Sequence, residues 1–484
     1  MNASASTVKD EKLYRQIADQ IVVQIENGTL GGGHRAPSVR QLSSERGISV
    51  STALAAYRLL ENEGYLEARP QSGYYVRERH NKNCTGEMPP EIEASTPPLE
   101  PTTVRNADLI VRFLQVANRD VPYQLGVAVC CTDYLPTEAM QKCLIDVTRR
   151  YPSAGISYDF APGSPIVRGA IARRLLLSGL TLEADDLILM AGATEGLSLA
   201  LRAVTQPGDA VAISSPTYFN ILQLVESLGL RAVEVATHPR DGVILESLEE
   251  ALEREKIAAC VFMPCFGNPI GACMNDDAKM RLVELLESAH VPLIEDDVWG
   301  DTNFHSPRPK PAKYWDKTGN VLLVSSFSKT LAPGYHVGYI APGRFKKRVE
   351  YLKLVSSAGN PILPGLAVAE FLEKGGFDAH LRRLRRTLEE QTQMALEAVA
   401  RYFPEGTKTN RPLGGHFLWV ELPERIDSLE LFERALKEGI AIAPGPLFSA
   451  RQKFRHFIRL NCGYNSAHKT YIALEKLGLL MSSM

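Results

Sequence analysis

Five short clusters of residues that can bind or react each follow a short apolar run. LILM (187–190) leads into Gly192-Ala193-Thr194-Glu195-Gly196, and AVAIS (210–214) into Ser215-Pro216-Thr217-Tyr218. ACVFM (259–263) leads, after a short loop, into Asn268-Pro269. VPLI (291–294) leads into Glu295-Asp296-Asp297, and VLLVS (321–325) into Ser326-Phe327-Ser328-Lys329. A glycine-rich turn opening a helix offers backbone N–H groups and the positive dipole end to an anion. A lysine supplies a Schiff-base amine, and a carboxylate can face a heterocyclic nitrogen. An amide can donate to a phenolate oxygen, and an aromatic ring can cover a flat ligand. Together these are the needs of pyridoxal 5′-phosphate.

Bringing five such clusters to one rim requires a particular scaffold. Short, continuous apolar runs alternating with helical stretches predict strands buried on both faces in a mostly parallel sheet, an α/β architecture. Ligands bind beyond the carboxyl ends of such strands. Past Pro364 the pattern changes to a long charged helix over 377–402, followed by the strands HFLWVEL and FIRLNCG. A smaller α+β domain is expected there.

The whole chain sets the limits. Its 484 residues suit roughly two to four domains. A hydrophobic fraction of 45% and a charged fraction of 23% exclude wholesale disorder. With 54 Lys and Arg against 56 Asp and Glu the net charge is −2, so nucleic-acid binding must rest on a local module. No apolar run of about 18 residues occurs, which predicts no membrane helix. The start, MNASASTVKDEK, lacks the charged and apolar regions of a secretory signal. Eight cysteines without a C-x-x-C pair predict reduced thiols in a cytoplasmic protein, and no metal site is expected.

Residues 10–79 predict a small separate domain. Ile17, Ile21 and Ile25 mark one helix face. Ser38 followed three residues later by Gln41 is a capping box for a second helix, which Gly47 ends. A third helix buries Ala53, Tyr57 and Leu60, and YLEARPQSGYYV then reads as strand, turn, strand. This is a helix-turn-helix with a wing. The Pro- and Glu-rich stretch from Cys84 to Pro101 predicts an extended linker, placed over 80–107, before a large domain over 108–484.

GGHRAPSVRQL and LLENEGYLEARPQSGYYV resemble the winged helix of the GntR family, and SSFSKTLAPG, FGNPIG and IEDDVWGD resemble the fold-type I aminotransferases of the kynurenine and aminoadipate branch. The combination resembles the MocR subgroup of transcriptional regulators. That resemblance implies pyridoxal 5′-phosphate as cofactor, with Lys329 as its Schiff-base lysine and Asp296 beside the pyridinium nitrogen. It implies Asn268 at the phenolate oxygen, Tyr218 against the ring, and Ala193, Thr194, Ser326 and Ser328 around the phosphate. Tyr158 would reach the phosphate of a partner subunit in a homodimer, and Arg459 would fork the carboxylate of an amino-acid or amine effector. Ser38, Arg40, Ser49, Ser51, Thr52, Arg69 and Gly73 would face an operator in double-stranded DNA.

Two positions depart from the aminotransferase pattern. His336 stands where the family carries a phosphate-binding arginine, and imidazole is a weaker, pH-dependent cation. Trp299 stands where a tyrosine is frequent, and an indole N–H donates but does not ionise. Both weigh against full turnover and neither against cofactor binding. Residues 1–80 carry ten basic and nine acidic side chains. Three functions fit: a cofactor-responsive transcriptional regulator, an aminotransferase with an appended DNA-binding module, or a DNA-binding scaffold without cofactor. The retained Lys329, Asp296, Asn268 and Tyr218 favour the first over the third.

Overall fold

The computed structural model describes residues 4–26, 29–31, 33–62, 65–69, 72–76, 88–117, 121–305 and 307–484. The chain divides into two compact units, Met1–Thr85 and Gly86–Met484.

In the small unit, helices Ser4–Glu26, Val39–Arg46 and Val50–Asn62 precede an antiparallel hairpin of Leu66–Arg69 and Gly73–Val76. Ser38 caps the second helix by accepting from Gln41 N–H at 3.1 Å, and Gly47 closes it in the left-handed conformation that glycine tolerates. Ile17, Ile21, Leu42, Ala53, Leu60, Leu66 and Val76 form the core around Tyr57, which has no exposed surface. The Tyr57 hydroxyl donates to the Pro37 carbonyl at 2.7 Å, tying the third helix to the start of the second. The segment before that helix adds a third edge to the hairpin: Val76 N–H donates to the His34 carbonyl, and Ala36 N–H to the Tyr74 carbonyl, both at 2.8 Å.

The large unit is built on a nine-stranded sheet. Its order runs Thr102–Thr103, Arg231–His238, Ala210–Ser215, Ile257–Phe262, Leu293–Asp296, Val321–Ser326, Val337–Ala341, Ile188–Ala191, with Gly242–Val243 paired beside Arg231–His238. The five strands from Arg231–His238 to Val321–Ser326 are parallel. Val337–Ala341 is antiparallel to both neighbours. Every residue of Ala210–Ser215, Leu293–Asp296 and Val321–Ser326 is buried, as strands covered by helices on both faces must be. The long helix spans Gly376–Tyr402, and a second, antiparallel sheet of Lys408–Thr409, Phe417–Glu421, Phe457–Asn461 and Ala443–Pro444 completes the smaller C-terminal lobe.

The proline-rich stretch differs from a free linker. Its residues 81–87, Cys84 among them, lie outside the described residues, as do 77–80. From Met88 onward it straps the large unit. Glu91 pairs with Arg240 at 2.6 Å, Ser95 N–H donates to the Thr237 carbonyl at 3.0 Å, and Thr102–Thr103 adds an edge strand. Proline removes donors and forbids helix, but it leaves an extended chain free to lie along a sheet edge. Composition alone did not separate those two outcomes.

Truncating Tyr57 to alanine opens a cavity in the small core and frees the Pro37 carbonyl. The expected cost is about 3–5 kcal/mol in chemical denaturation of the small unit. A loss below about 1 kcal/mol would show that Tyr57 does not hold these helices together.

Candidate functional site

Strand alternation decides which carboxylate of Glu295-Asp296-Asp297 faces inward, because successive side chains point to opposite sides of a sheet. Glu295 accepts from the backbone N–H groups of Ala312 (2.6 Å) and Lys313 (2.8 Å). Asp297, two residues on, is held by the Arg308 guanidinium, which also pairs with Asp301 at 3.1 Å. Asp296 lies between them in sequence and accepts a 3.3 Å bond from Val298 N–H. Burial raises its carboxyl to about 7; Asp297 adds to the rise, while the Val298 bond and the Lys329 ammonium oppose it.

Lys329 follows the adjacent strand. Its Nζ is enclosed, donates to the Ala128 carbonyl at 2.8 Å and stands 5.2 Å from the centroid of the Trp299 ring. Burial lowers its ammonium to about 8, against the pull of Cys130 and Asp296. Among the described residues no ion pair joins Lys329 to Asp296. The two charges feel each other without touching.

Arg459 enters from the C-terminal sheet and has no exposed surface. It donates from Nη1 to Asn268 Oδ1 at 3.1 Å and from Nη2 to the Gly126 carbonyl, and lies over the rings of Phe417 (4.8 Å) and Phe448 (5.3 Å). Burial lowers its guanidinium to about 9. With Oδ1 of Asn268 engaged, the amide nitrogen is the end left to donate to a ligand. Burial pushes the Tyr218 phenol up to about 12, although Arg459 pulls it down. Tyr218 is thus a neutral ring.

Opposite this cluster, the helix Gly192–Val204 begins. Gly192 has φ 71°, and a Cβ there would come within 2.7 Å of the His336 imidazole, so the ring lies directly on the turn. Ala193 packs against the cluster of Trp299, Phe266 and Phe417. Thr194 is exposed, and its Oγ1 accepts from Asn220 at 3.1 Å. Ser326 Oγ accepts from Ser328 N–H at 3.4 Å.

The structure therefore gathers Lys329, Asp296, Asn268, Arg459, Tyr218 and Trp299, and sets Ala193 and His336 at the helix N-terminus. Tyr158 is not among them: it is 83% exposed and stacks on Phe160 at 5.2 Å. Sequence reasoning missed His416 and Cys130. His416 has no exposed surface, its Nδ1 meets Cys130 Sγ at 3.6 Å, and its ring packs edge-on against Trp299 at 4.9 Å. Burial, with Lys329 and Arg459 nearby, keeps that imidazole well below its usual pKa. The available signal was its place after Gly414-Gly415 at the head of HFLWVEL. Glu195, quoted in the glycine-rich turn, proves to bind Ala191 N–H at 2.7 Å and the buried Lys353 at 2.7 Å.

Three buried polar atoms of this cluster lack partners among the described residues: Ser328 Oγ, Arg459 Nε and His416 Nε2. Buried polar atoms are normally satisfied. An enclosed amine that titrates near neutrality, an inward carboxylate and open donors at a helix N-terminus fit a planar anionic aldehyde such as pyridoxal 5′-phosphate.

In the small unit, Arg40 and Ser51 are exposed on the second and third helices. The Ser49 hydroxyl accepts from Thr52 N–H at 3.0 Å and meets the Ser51 and Thr52 hydroxyls at 2.7 Å. Thr52 is only 6% exposed, so it serves the cap rather than the outer face. Arg69 is paired with Glu67 at 2.6 Å and lies on the Tyr75 ring at 4.3 Å. Gly73 adopts φ 107° at the wing, where a Cβ would meet the Arg35 guanidinium at 3.4 Å. Arg35 thus joins the wing face, which sequence reasoning did not identify.

Fold and cluster define the large unit as a class I and II aminotransferase domain, whose family model matches residues 156–476. The model of the gntR family of bacterial regulatory proteins matches residues 13–76. The chain is 38% identical to the uncharacterized HTH-type transcriptional regulator YdcR of Escherichia coli K12, over 97% of this chain and 99% of that one. It is 33% identical to the uncharacterized HTH-type transcriptional regulator YjiR of the same organism, over 96% and 98%. The crystal structure of kynurenine aminotransferase from Pyrococcus horikoshii superposes with a TM-score of 0.73 at 27% identity, covering 78% of this chain and 95% of that one. The chain belongs to the MocR-type family, in which a GntR helix-turn-helix is fused to a fold-type I aminotransferase domain. No helix among the described residues is long and apolar enough to cross a membrane.

The Lys329 shift has a defined stability signature. Its pKa is about 8 folded against an ordinary 10.5, so burying the ammonium costs most below pH 8 and the cost fades as pH rises towards 10.5. Lys329→Met should therefore raise the melting temperature of the cofactor-free chain at pH 7 and raise it less at pH 10. An equal or larger gain at pH 10 would contradict a buried, destabilised ammonium.

Proposed function

We propose that this chain is a DNA-binding transcriptional regulator whose large unit binds pyridoxal 5′-phosphate and an amino-acid or amine effector. The observation that carries it is the enclosed set Lys329, Asp296, Asn268 and Arg459, kept in one chain with a winged helix. When bound, the cofactor supplies an electrophilic aldehyde on an electron-withdrawing ring. Lys329 offers the amine that holds it, and an ammonium near pKa 8 releases its proton readily at physiological pH. Asp296 retains a proton or a negative charge opposite the ring nitrogen, and Asn268 donates from its free amide end. The helix N-terminus at Gly192 and the Ser328 hydroxyl bind the phosphate, with His336 as the adjacent imidazole.

Arg459 provides the route from effector to conformation. It is held by Asn268 and Gly126, so forking an effector carboxylate requires exchanging those bonds. A ligand shifts a conformational equilibrium only through such a difference in contacts. Exposed Ile156 (90%), Tyr158 (83%) and Phe160 (57%) form an apolar stretch suited to a second copy of the chain, which supports a homodimer reading two half-sites. In the winged helix, Arg40 contacts phosphate, Ser38 and Ser49 position the two helices, and Ser51 stands at the base-reading end. Val50, 53% exposed at the first turn, suits a thymine methyl. Arg69 and Gly73 shape the wing. The retained residues also suit transamination, and catalytic release of keto acid from an added amino acid would favour that second reading.

The test is a visible-absorbance titration of the purified full chain with pyridoxal 5′-phosphate and then with amino acids. It is repeated with a DNA duplex selected from a random pool. A band that forms, responds to amino acids and changes DNA affinity is expected; a chain that stays colourless would overturn the proposal. Lys329→Ala should lose the band, and its persistence would remove Lys329 from the role. Arg40→Ala should weaken binding across sequences and flatten the salt slope by about 1. Unchanged affinity and slope would take Arg40 off the phosphate contacts.

A further inference from the structure

The loop that carries Asn268 is closed by two cysteines that neither the fold nor the proposed cofactor chemistry uses. Cys265 and Cys273 face each other in an antiparallel bridge, and Met274 N–H donates to the Pro264 carbonyl at 2.9 Å. That bond flanks the pair, so the two cysteines occupy a non-hydrogen-bonded position. There the Cα atoms stand about 4.5 Å apart and side chains approach most closely. A disulfide needs about 4.4–6.8 Å between Cα atoms. Each sulfur lies in the other's field, and the thiols donate to the backbone, Cys265 to the Lys310 carbonyl at 3.8 Å and Cys273 to the Met274 carbonyl at 3.6 Å.

Their surroundings favour one thiolate. Lys279 has no exposed surface; its Nζ donates to the Lys310 carbonyl at 2.8 Å and faces both sulfurs. Among the described residues no carboxylate stands within ion-pair distance of it. Asp297 opposes a thiolate here, Arg308 is adjacent to Cys265, and Glu295 is the remaining carboxylate near Lys279. Within the pair the neighbouring Cys265 lowers the Cys273 thiol, while Cys273 first and burial second raise Cys265. Cys273 is half-buried and Cys265 is fully buried, which makes the first the reachable sulfur and the second its resolving partner. Thiolates beside cations, within reach of solvent, are the ones that react. Cys260 and Cys130, by contrast, are enclosed and pushed up by burial.

We propose that Cys265 and Cys273 form a reversible thiol-oxidation site that closes a disulfide across the Asn268 loop. With hydrogen peroxide as oxidant, the Cys273 thiolate attacks one peroxide oxygen and hydroxide leaves, giving a sulfenic acid. The Cys265 sulfur then attacks Cys273, and the sulfenic oxygen leaves as water after taking up the thiol proton. Two thiols lose two electrons in all, peroxide is reduced to two waters, and one S–S bond forms. Closing the loop fixes the backbone on both sides of Asn268, the residue that holds Arg459, so the oxidation state is built into the pocket wall. Neither the chemistry nor its test depends on cofactor binding.

The experiment uses the full chain, reduced under anaerobic conditions and treated with equimolar hydrogen peroxide. Free thiols are blocked with iodoacetamide, and peptides are mapped by mass spectrometry. The expected product is a Cys265–Cys273 linked peptide two hydrogens lighter than its parts and reopened by dithiothreitol, with Cys260 still a thiol. Cys265→Ser should instead accumulate a Cys273 sulfenic acid that dimedone traps, and Lys279→Met should slow the oxidation several-fold. Recovery of both residues as alkylated thiols, linkage of Cys273 to another cysteine, or over-oxidation of Cys273 without linkage would overturn the proposal.

Discussion

Two opposite charges are buried in one pocket and kept apart. Asp296 ends one strand and Lys329 follows its parallel neighbour; they lie within each other's field and make no ion pair. Burying a charge is costly unless it is paired, and in the folded chain both groups move towards neutrality, the acid up to about 7 and the amine down to about 8. A core selected only for stability would let them meet or replace them with apolar side chains. The separation is what a ligand placed between them needs.

Much of the large unit serves to maintain that separation. Alternation sends Glu295 and Asp297 to the opposite face, where backbone N–H groups hold Glu295 and Arg308 pairs with Asp297. His416 and Phe417 pack edge-on against Trp299 beside the amine, with the Trp299 ring 5.2 Å from Lys329 Nζ. Arg459, a third buried charge, is anchored by Asn268 and Gly126 rather than by a carboxylate. Its partners are neutral, so it retains its attraction for an incoming anion. The Cys265–Cys273 pair lies on the far side of the same Asn268 loop, next to the face that Asp297 and Arg308 occupy.

The parts legible in the sequence were those fixed by local pattern. Apolar runs bounded by reactive clusters located four of the five parallel strands, and Ile188–Ala191 beside them, within one or two residues; Arg231–His238, which ends in no reactive cluster, was not singled out. Ser38, Gly47 and the Ala53–Tyr57–Leu60 spacing located the winged helix. The antiparallel strand Val337–Ala341 was not singled out, because a short apolar stretch carries no mark of its direction. What depends on distant packing stayed hidden: Cys130 meets His416 across most of the large unit, and Glu195 meets Lys353 across two helices. Thr52 looked like an outward-facing residue because threonine at a helix start suits a cap and a DNA contact equally. Tyr158 is exposed on its own chain, a position that only a second copy could turn into part of a site.

The most direct test of the separated charges is to trap what they hold. The full chain is incubated with pyridoxal 5′-phosphate, reduced with borohydride, digested and sequenced by mass spectrometry. A single phosphopyridoxyl group on Lys329 is expected, reduced in yield by Asp296→Ala. Label spread over exposed lysines, or none on Lys329, would contradict this.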